Sequence, residues 1–270
     1  MDTTTRSLPS IVLVPGHWLG AWAWDAVADD LRRRGHEVTA VTLPGLERDD
    51  PERASRTVAQ QAESLRVTVH AAAADGSPVV LVAHSGAGSP VSLLLDQQPT
   101  AIARVIYVDS GPSSDGSAFD ADVVPDMGEV PLPPFEELAA GGASLEGLSE
   151  GDLERFRARA VPEPGPVVRE PVRLGNDARR DVPSTIIACS FSSEVVMQMV
   201  REGHPMMAEV ATLRDVELVD LPTGHWPMWS RPADLASAIA KAAERCLPPA
   251  NDLIAAPSRQ EHDRGGALTG

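Results

Sequence analysis

The sequence predicts an α/β fold: a mostly parallel sheet of about six strands, helices on both faces, and a helical cap inserted in its second half. Three observations carry this expectation. Short apolar runs alternate with amphipathic stretches of helical length along most of the 270 residues, which is the signature of parallel strands joined by right-handed helical crossovers. The run at 78–83 is continuously apolar, like a strand covered on both faces. The alternation stops between 111 and 181, where Pro, Gly and Glu accumulate, and resumes at 184.

The elements follow in order. Residues 10–14 form the first strand. Residues 20–34 read as a helix, with Trp24, Val27 and Leu31 at three- and four-residue spacing. Gly35 ends it, and 36–43 is the second strand. A long helix at 57–74 closes at Asp75-Gly76. The strand at 78–83 leads into a helix at 86–97, and 103–109 is the next strand. Within the expected cap, 151–160 is a helical piece. Regular alternation returns with a strand at 184–189, a helical region at 194–213, a strand at 216–221 and a helix at 232–246. The expected domain is 1–247, including the cap at 111–181. Residues 248–270 lack apolar periodicity and read as a disordered tail.

Composition bounds the partners. The formal charge of -16 argues against nucleic acid and anionic membrane surfaces. The first ten residues hold no apolar leader and no run is long enough to cross a bilayer. The expectation is therefore a soluble cytoplasmic protein acting on a small molecule, with a homo-oligomer left open. The two cysteines, Cys189 and Cys246, read as a buried free thiol and a helix-end residue. No close Cys/His pair has metal-ligand spacing, so no metal site is expected.

The most informative segment is Val79-Val80-Leu81-Val82-Ala83-His84-Ser85-Gly86-Ala87-Gly88. An apolar strand runs into a Ser flanked by small residues, and a helix starts at once. A sharp strand-to-helix turn of this kind lifts a Ser hydroxyl clear of the sheet, and small neighbours two residues either side avoid collision. The helix N-terminus adds amide donors where negative charge would develop. The usual pattern is G-x-S-x-G; here Ala83 and Ala87 take the outer positions and meet the same size limit. Ser85 is the expected nucleophile.

After the first strand the chain reads Val14-Pro15-Gly16-His17-Trp18-Leu19-Gly20-Ala21-Trp22-Ala23-Trp24. Here the sequence resembles the α/β-hydrolase superfamily, in particular its compact esterase and hydroxynitrile-lyase-like branch, which carries H-G-x-x-x-G-A-W-x-W. Pro15 replaces the first His of that pattern, while Gly16, Gly20, Ala21, Trp22 and Trp24 match. The resemblance implies that the amides of His17 and Gly86 hold an oxyanion; Trp18 reads as lining the substrate pocket, and no cofactor is expected. Trp22 and Trp24 read as core.

The segment Pro222-Thr223-Gly224-His225-Trp226-Pro227 follows the last strand. His225 there matches the family's base, and an imidazole can take the Ser proton and return it to a leaving group. The acid is less plainly marked. The family commonly places it after the strand at 184–189, where this chain offers Ser190, Ser193 and then Glu194 but no Asp. Asp109 ends the strand that follows the nucleophile helix, in chain order Ser, Asp, His. Asp109 is the expected acid, with Glu194 or a Ser–His dyad as alternatives. His84 and His36 read as structural, and His204 as either a residue reaching the pocket or part of a helix-breaking loop.

The leading function is a serine hydrolase of a small, mainly apolar ester or lactone, with Phe135, Leu138 and Trp226 joining Trp18 in the pocket. The missing Asp after Cys189 keeps open a lyase or cyclase that uses Ser and His only to move protons. A ligand-binding module on the same scaffold is the non-enzymatic alternative.

Overall fold

A computed structural model describes residues 8–247 of the chain; the expected tail at 248–270 lies outside the described residues. The elements in chain order are β1 (Ser10–Val14), α1 (Asp25–Arg33), β2 (Val38–Ala40), α2 (Val58–Ala72), β3 (Val79–His84), α3 (Gly88–Gln97), β4 (Arg104–Val108), β5 (Glu129–Val130), α4 (Phe135–Ala140), α5 (Glu150–Arg159), β6 (Glu163–Pro164), α6 (Gly165–Arg169), β7 (Ser184–Ala188), α7 (Ser193–Arg201), β8 (Val216–Asp220), α8 (Pro227–Ser230) and α9 (Pro232–Glu244). Six strands form one sheet in the order β2-β1-β3-β4-β7-β8. All of its pairs are parallel.

The period of two along each strand builds two cores. Ile11, Leu13, Val80, Val82, Ile106 and Val108 face one side, where Val27 and Leu31 of α1 and Leu235 and Ile239 of α9 cover them. Val12, Val14, Leu81, Ala83, Val105 and Tyr107 face the other, beneath Leu65 and Val69 of α2 and Val91 and Leu94 of α3. Burial on both faces is why 11–14 of β1 and 79–83 of β3 read as continuous apolar runs, with polar Ser10 and His84 only at the strand ends. Trp24 is fully buried, and Trp22 stacks on Trp229 at 5.6 Å between ring centroids, as expected of core residues.

Local chemistry sets the boundaries. Thr57 caps α2 by accepting from the Gln60 amide, while the Gln60 side chain accepts from the Thr57 amide. The expected helix at 20–34 begins instead as a tight turn over Ala21–Trp24 before α1 takes over. The expected helix at 194–213 ends at Arg201, because Gly203 adopts a φ of 69° and Pro205 cannot continue it. The strand at 36–43 shrinks to three residues at the sheet edge.

The segment 111–181 leaves the sheet after β4 and returns at β7. It is not purely helical: β5 and β6 pair antiparallel as a short ribbon, Glu129 opposite Pro164 and Val130 opposite Glu163. Among the described residues no helix is long and apolar enough to cross a membrane.

Phe135 and Leu138 of α4, expected in the substrate pocket, pack into a cluster of aromatic side chains. Phe135 is 6% exposed and packs on Phe156 at 5.6 Å, with the Arg157 guanidinium 4.2 Å above its ring. Leu138 packs, half-buried, against the same cluster. Phe156 carries the cluster on to Trp226 and Trp229, binding the inserted segment to α8. Phe135→Ala is therefore expected to destabilise the protein by about 3 kcal/mol or more through the cavity it leaves. Chemical denaturation of the variant measures this; a loss below about 1 kcal/mol would return Phe135 to the pocket wall.

Candidate active site

Sheet register brings the site together. His84 of β3 lies opposite Val108 of β4, so the next residue on each strand, Ser85 and Asp109, emerges at the same level of the carboxyl edge. Both leave their strands with positive φ, 51° for Ser85 and 43° for Asp109, and Trp18 after β1 does the same at 63°. Among the described residues these are the only non-glycine residues with positive φ. Backbone strain gathered at one end of a sheet is a feature of functional sites. The carboxyl edge, where strand order reverses about β1, is also where open parallel sheets bind ligands.

The Ser85 turn is held from two sides. Ser110 donates its hydroxyl to the Ser85 carbonyl at 2.6 Å. Gly16 presses on the other side: a Cβ there would stand 2.7 Å from Ser85 Cβ. The loop after β1 thus reaches the turn only through glycine.

His225 hangs from the loop after β8. Its Nε2 lies 2.9 Å from Ser85 Oγ and its Nδ1 2.6 Å from Asp109 Oδ2. A carboxylate can only accept, so Nδ1 carries the proton toward Asp109, and Nε2 is free to accept from the Ser85 hydroxyl. The loop is pinned on both flanks. His84 donates Nε2–H to the His225 carbonyl at 2.7 Å. The inserted segment takes the other side, where Ser144 and Glu146 carbonyls accept from the His225 and Gly224 amides at 2.7 and 3.1 Å.

Asp109, not Glu194, reaches the imidazole. Its Oδ1 accepts from the amides of Cys189 and Ser190 at 3.2 and 2.9 Å, and its Oδ2 from the Ser190 hydroxyl at 2.6 Å. Burial works to raise the Asp109 pKa, but the hydrogen bonds from His225 and Ser190 outweigh it and hold the carboxyl down at about 2. It is ionised at neutral pH. Glu194 sits exposed in the first turn of α7. Ser193, at the position where the family commonly has its acid, turns instead to Asp220, with its amide and hydroxyl donating at 2.6 and 2.7 Å.

The expected oxyanion residues lie together on the far side of Ser85. The His17 ring rests on Gly86 so closely that a Cβ on Gly86 would stand 2.2 Å from His17 Nε2. Any side chain at 86 would expel that ring. His17, Leu43, Leu46, Gln61, Gly86 and Ala87 close around this contact, leaving no room for a water molecule. The expected pocket residues Trp18 and Trp226 are both buried. Trp226 is 3% exposed, edge-on to the His225 ring at 4.9 Å. Trp18 is 8% exposed, its indole donating to the Val130 carbonyl at 3.1 Å. Both belong to the hydrophobic core on the α1 and α9 side of the sheet.

Two residues carry no sequence signal for the places they take. Ser190 follows β7 as one polar residue among several, yet it holds Asp109 by two hydrogen bonds. Glu163, between two prolines, becomes a buried carboxylate 3.3 Å from His17 Nδ1. His36 is buried and donates Nδ1–H to the Pro9 carbonyl, and exposed His204 accepts from the Met206 amide. Cys189 and Cys246 are free thiols. Burial, with the Asp109 charge adding, raises the Cys189 pKa well above its ordinary value and leaves it unreactive.

Burial, reinforced by the neighbouring His225, depresses the His84 pKa to about 3. An unfolded His binds its proton near pH 6.5. The unfolded chain therefore takes up a proton that native His84 refuses, so this contribution to stability is complete above about pH 6.5 and is lost as pH falls toward 3. His84→Gln does not titrate and retains a donor for the His225 carbonyl. Its melting temperature is expected to fall less steeply than the wild type's between pH 7 and 4. Parallel slopes in thermal melts would remove His84 from this role.

Comparisons with known proteins agree with this architecture. A family model described as the alpha/beta hydrolase family matches residues 11–238. "Probable hydrolase R7" of a Phoma species is 26% identical over 243 residues, which span 87% of this chain and 98% of that protein. Methylesterase 7 of Arabidopsis thaliana is 25% identical over 270 residues, spanning 87% of this chain and 96% of that one. Among solved structures, an extracellular alpha/beta-hydrolase from a Paenibacillus species superposes with a TM-score of 0.66 at 21% identity, covering 87% of this chain and 98% of that chain. With the strand order, the Ser turn and these matches together, the chain belongs to the alpha/beta hydrolase family.

Proposed function

We propose that this protein is a serine esterase that cleaves a small, mainly apolar carboxylic ester through an acyl-enzyme on Ser85. The observation that carries the reading is the hydrogen-bonded chain Ser85–His225–Asp109, closed at 2.9 and 2.6 Å. Ser85 Oγ attacks the ester carbonyl while His225 Nε2 takes its proton. Asp109 keeps the remaining proton on Nδ1 and stabilises the imidazolium that forms. The amides of His17 and Gly86 receive the oxyanion, whose charge the dipole end at the start of α3 also favours. The imidazolium then protonates the departing alcohol, and a water activated by His225 releases the acid.

The esterase and methylesterase relatives support an ester with a small alcohol over a lactone. The missing acid after β7 is what favours a lyase or cyclase, and the Asp109 carboxylate on His225 Nδ1 supports the acyl-enzyme reading instead. Labelling with a fluorophosphonate separates the esterase from a binding module. One equivalent on the peptide holding Ser85 is expected. A folded protein that takes up none would overturn the reading.

A further inference from the structure

We propose that Glu163, delivered by the inserted segment, is the positioning residue of the oxyanion site. This rests on the reading of Ser85 as nucleophile and of His17 and Gly86 as the oxyanion donors.

Trp18 holds a φ of 63°, unusual for a bulky residue. Such a conformation persists only where its surroundings over-determine it. Here three hydrogen bonds do so, and all come from the inserted segment. Its amide donates to Glu163 Oε2 at 2.9 Å, its carbonyl accepts from the Val161 amide at 3.1 Å, and its indole donates to the Val130 carbonyl. Val130 and Glu163 face each other across the β5–β6 ribbon, so one small structure supplies both acceptors.

The other oxygen of the same carboxylate lies 3.3 Å from His17 Nδ1, both side chains being almost wholly buried. The His17 ring in turn rests on Gly86 and packs edge-on against Phe119 at 4.2 Å. Its Nε2 is buried with no hydrogen-bond partner. A buried imidazole with one nitrogen unpaired is costly, and the charge on Glu163 is the interaction that holds it there. Glu163 therefore fixes the backbone of residue 18 and the ring of residue 17 at once. Through them it fixes the amide of His17 and, by the ring's contact, Gly86. The route is continuous: ribbon, carboxylate, loop, oxyanion donors. Oxyanion stabilisation depends on donors set in place before charge develops, so Glu163 acts on the transition state while touching no reacting atom.

The test is Glu163→Gln, which keeps an acceptor for the Trp18 amide and removes the charge beside His17. Hydrolysis of a p-nitrophenyl ester is expected to lose at least tenfold in kcat, with KM within about threefold. Affinity for a trifluoromethyl ketone, which forms a tetrahedral adduct on Ser85, should fall by the same factor as kcat/KM. Wild-type kcat and wild-type affinity for the ketone in the folded variant would overturn the proposal. Should Glu163→Gln fail to fold, His17→Asn and His17→Ala decide. Asn, whose Nδ2 takes the place of Nδ1, should keep more turnover than Ala; equal and undiminished turnover in both overturns it. The ¹⁹F signal of the ketone adduct on the wild-type enzyme reports on the underlying reading. Its absence would refute the Ser85 mechanism, whereas its presence with an unaffected Glu163→Gln would refute the positioning role alone.

Discussion

Replacing Ser85 by Ala is expected to lower kcat for ester hydrolysis by roughly 10⁶, the scale found when a serine protease loses its nucleophile. Ser85 Oγ is the atom that faces His225 Nε2, at 2.9 Å. Alanine keeps the Cβ against which Gly16 packs, so the turn and the two oxyanion amides stay in place. A residue of catalysis should survive in the variant, because donors that bind a developing oxyanion also help attack by water. The melting temperature should change little, since the strain of a φ of 51° is the same for Ala as for Ser. Steady-state kinetics beside a thermal melt checks both parts. Turnover within tenfold of wild type, in a folded variant, would rule out attack by Ser85.

The second large effect belongs to Asp109. Asp109→Asn should keep the fold and lower kcat by roughly 10⁴, as the same change does in the well-studied serine protease case. The carboxylate accepts from His225 Nδ1 at 2.6 Å and fixes the tautomer with a lone pair on Nε2. An amide can present its NH₂ to Nδ1 and drive the proton to Nε2, where it blocks acceptance from Ser85. Asn also gives up the negative charge that steadies the imidazolium. Glu194→Gln should leave activity within about threefold of wild type, because Glu194 is exposed on α7 and contacts no part of the site. A reversal of these two results would move the acid to the loop after β7.

The parts of this site that can be read from sequence are those fixed by backbone geometry. Apolar runs covered on both faces mark β1 and β3, and the abrupt Ala-His-Ser-Gly-Ala passage at the end of β3 marks Ser85. Asp109 is legible for the same reason. It is a carboxylate one residue past a buried strand, and in a parallel sheet that places it level with the residue one past the neighbouring strand. His225 follows from its place after β8 beside a glycine.

What sequence does not carry is the fate of side chains in the insert. Phe135, Leu138 and Trp226 have the apolarity of pocket walls, but apolarity is equally what a closed aromatic cluster demands, and Phe156 and Trp229 supply the partners that decide it. Glu163 stands between two prolines in a stretch without periodicity. Its burial depends on a ribbon of two-residue strands, too short to leave a pattern. Ser190 offers only a hydroxyl and an amide, and its role depends on Asp109 arriving from the end of a strand, 81 residues earlier in the chain. The second half of the expected helix at 194–213 is lost to Gly203 and Pro205, both visible in the sequence as breakers.

The central claim is that one covalent acyl-enzyme on Ser85 stands between ester and acid. Partitioning tests it most directly. Methyl, phenyl and p-nitrophenyl esters of a single small apolar acid are hydrolysed in buffer containing a fixed concentration of an added alcohol, such as ethanol. The products are then divided between the free acid and its ethyl ester. An acyl-enzyme common to all three has forgotten its leaving group, so the ratio of ethyl ester to acid should be the same from every substrate, and no product should form with Ser85→Ala above its residual rate. A ratio that changes with the leaving group would mean that water and ethanol attack the bound ester itself, and the acyl-enzyme on Ser85 would have to be abandoned.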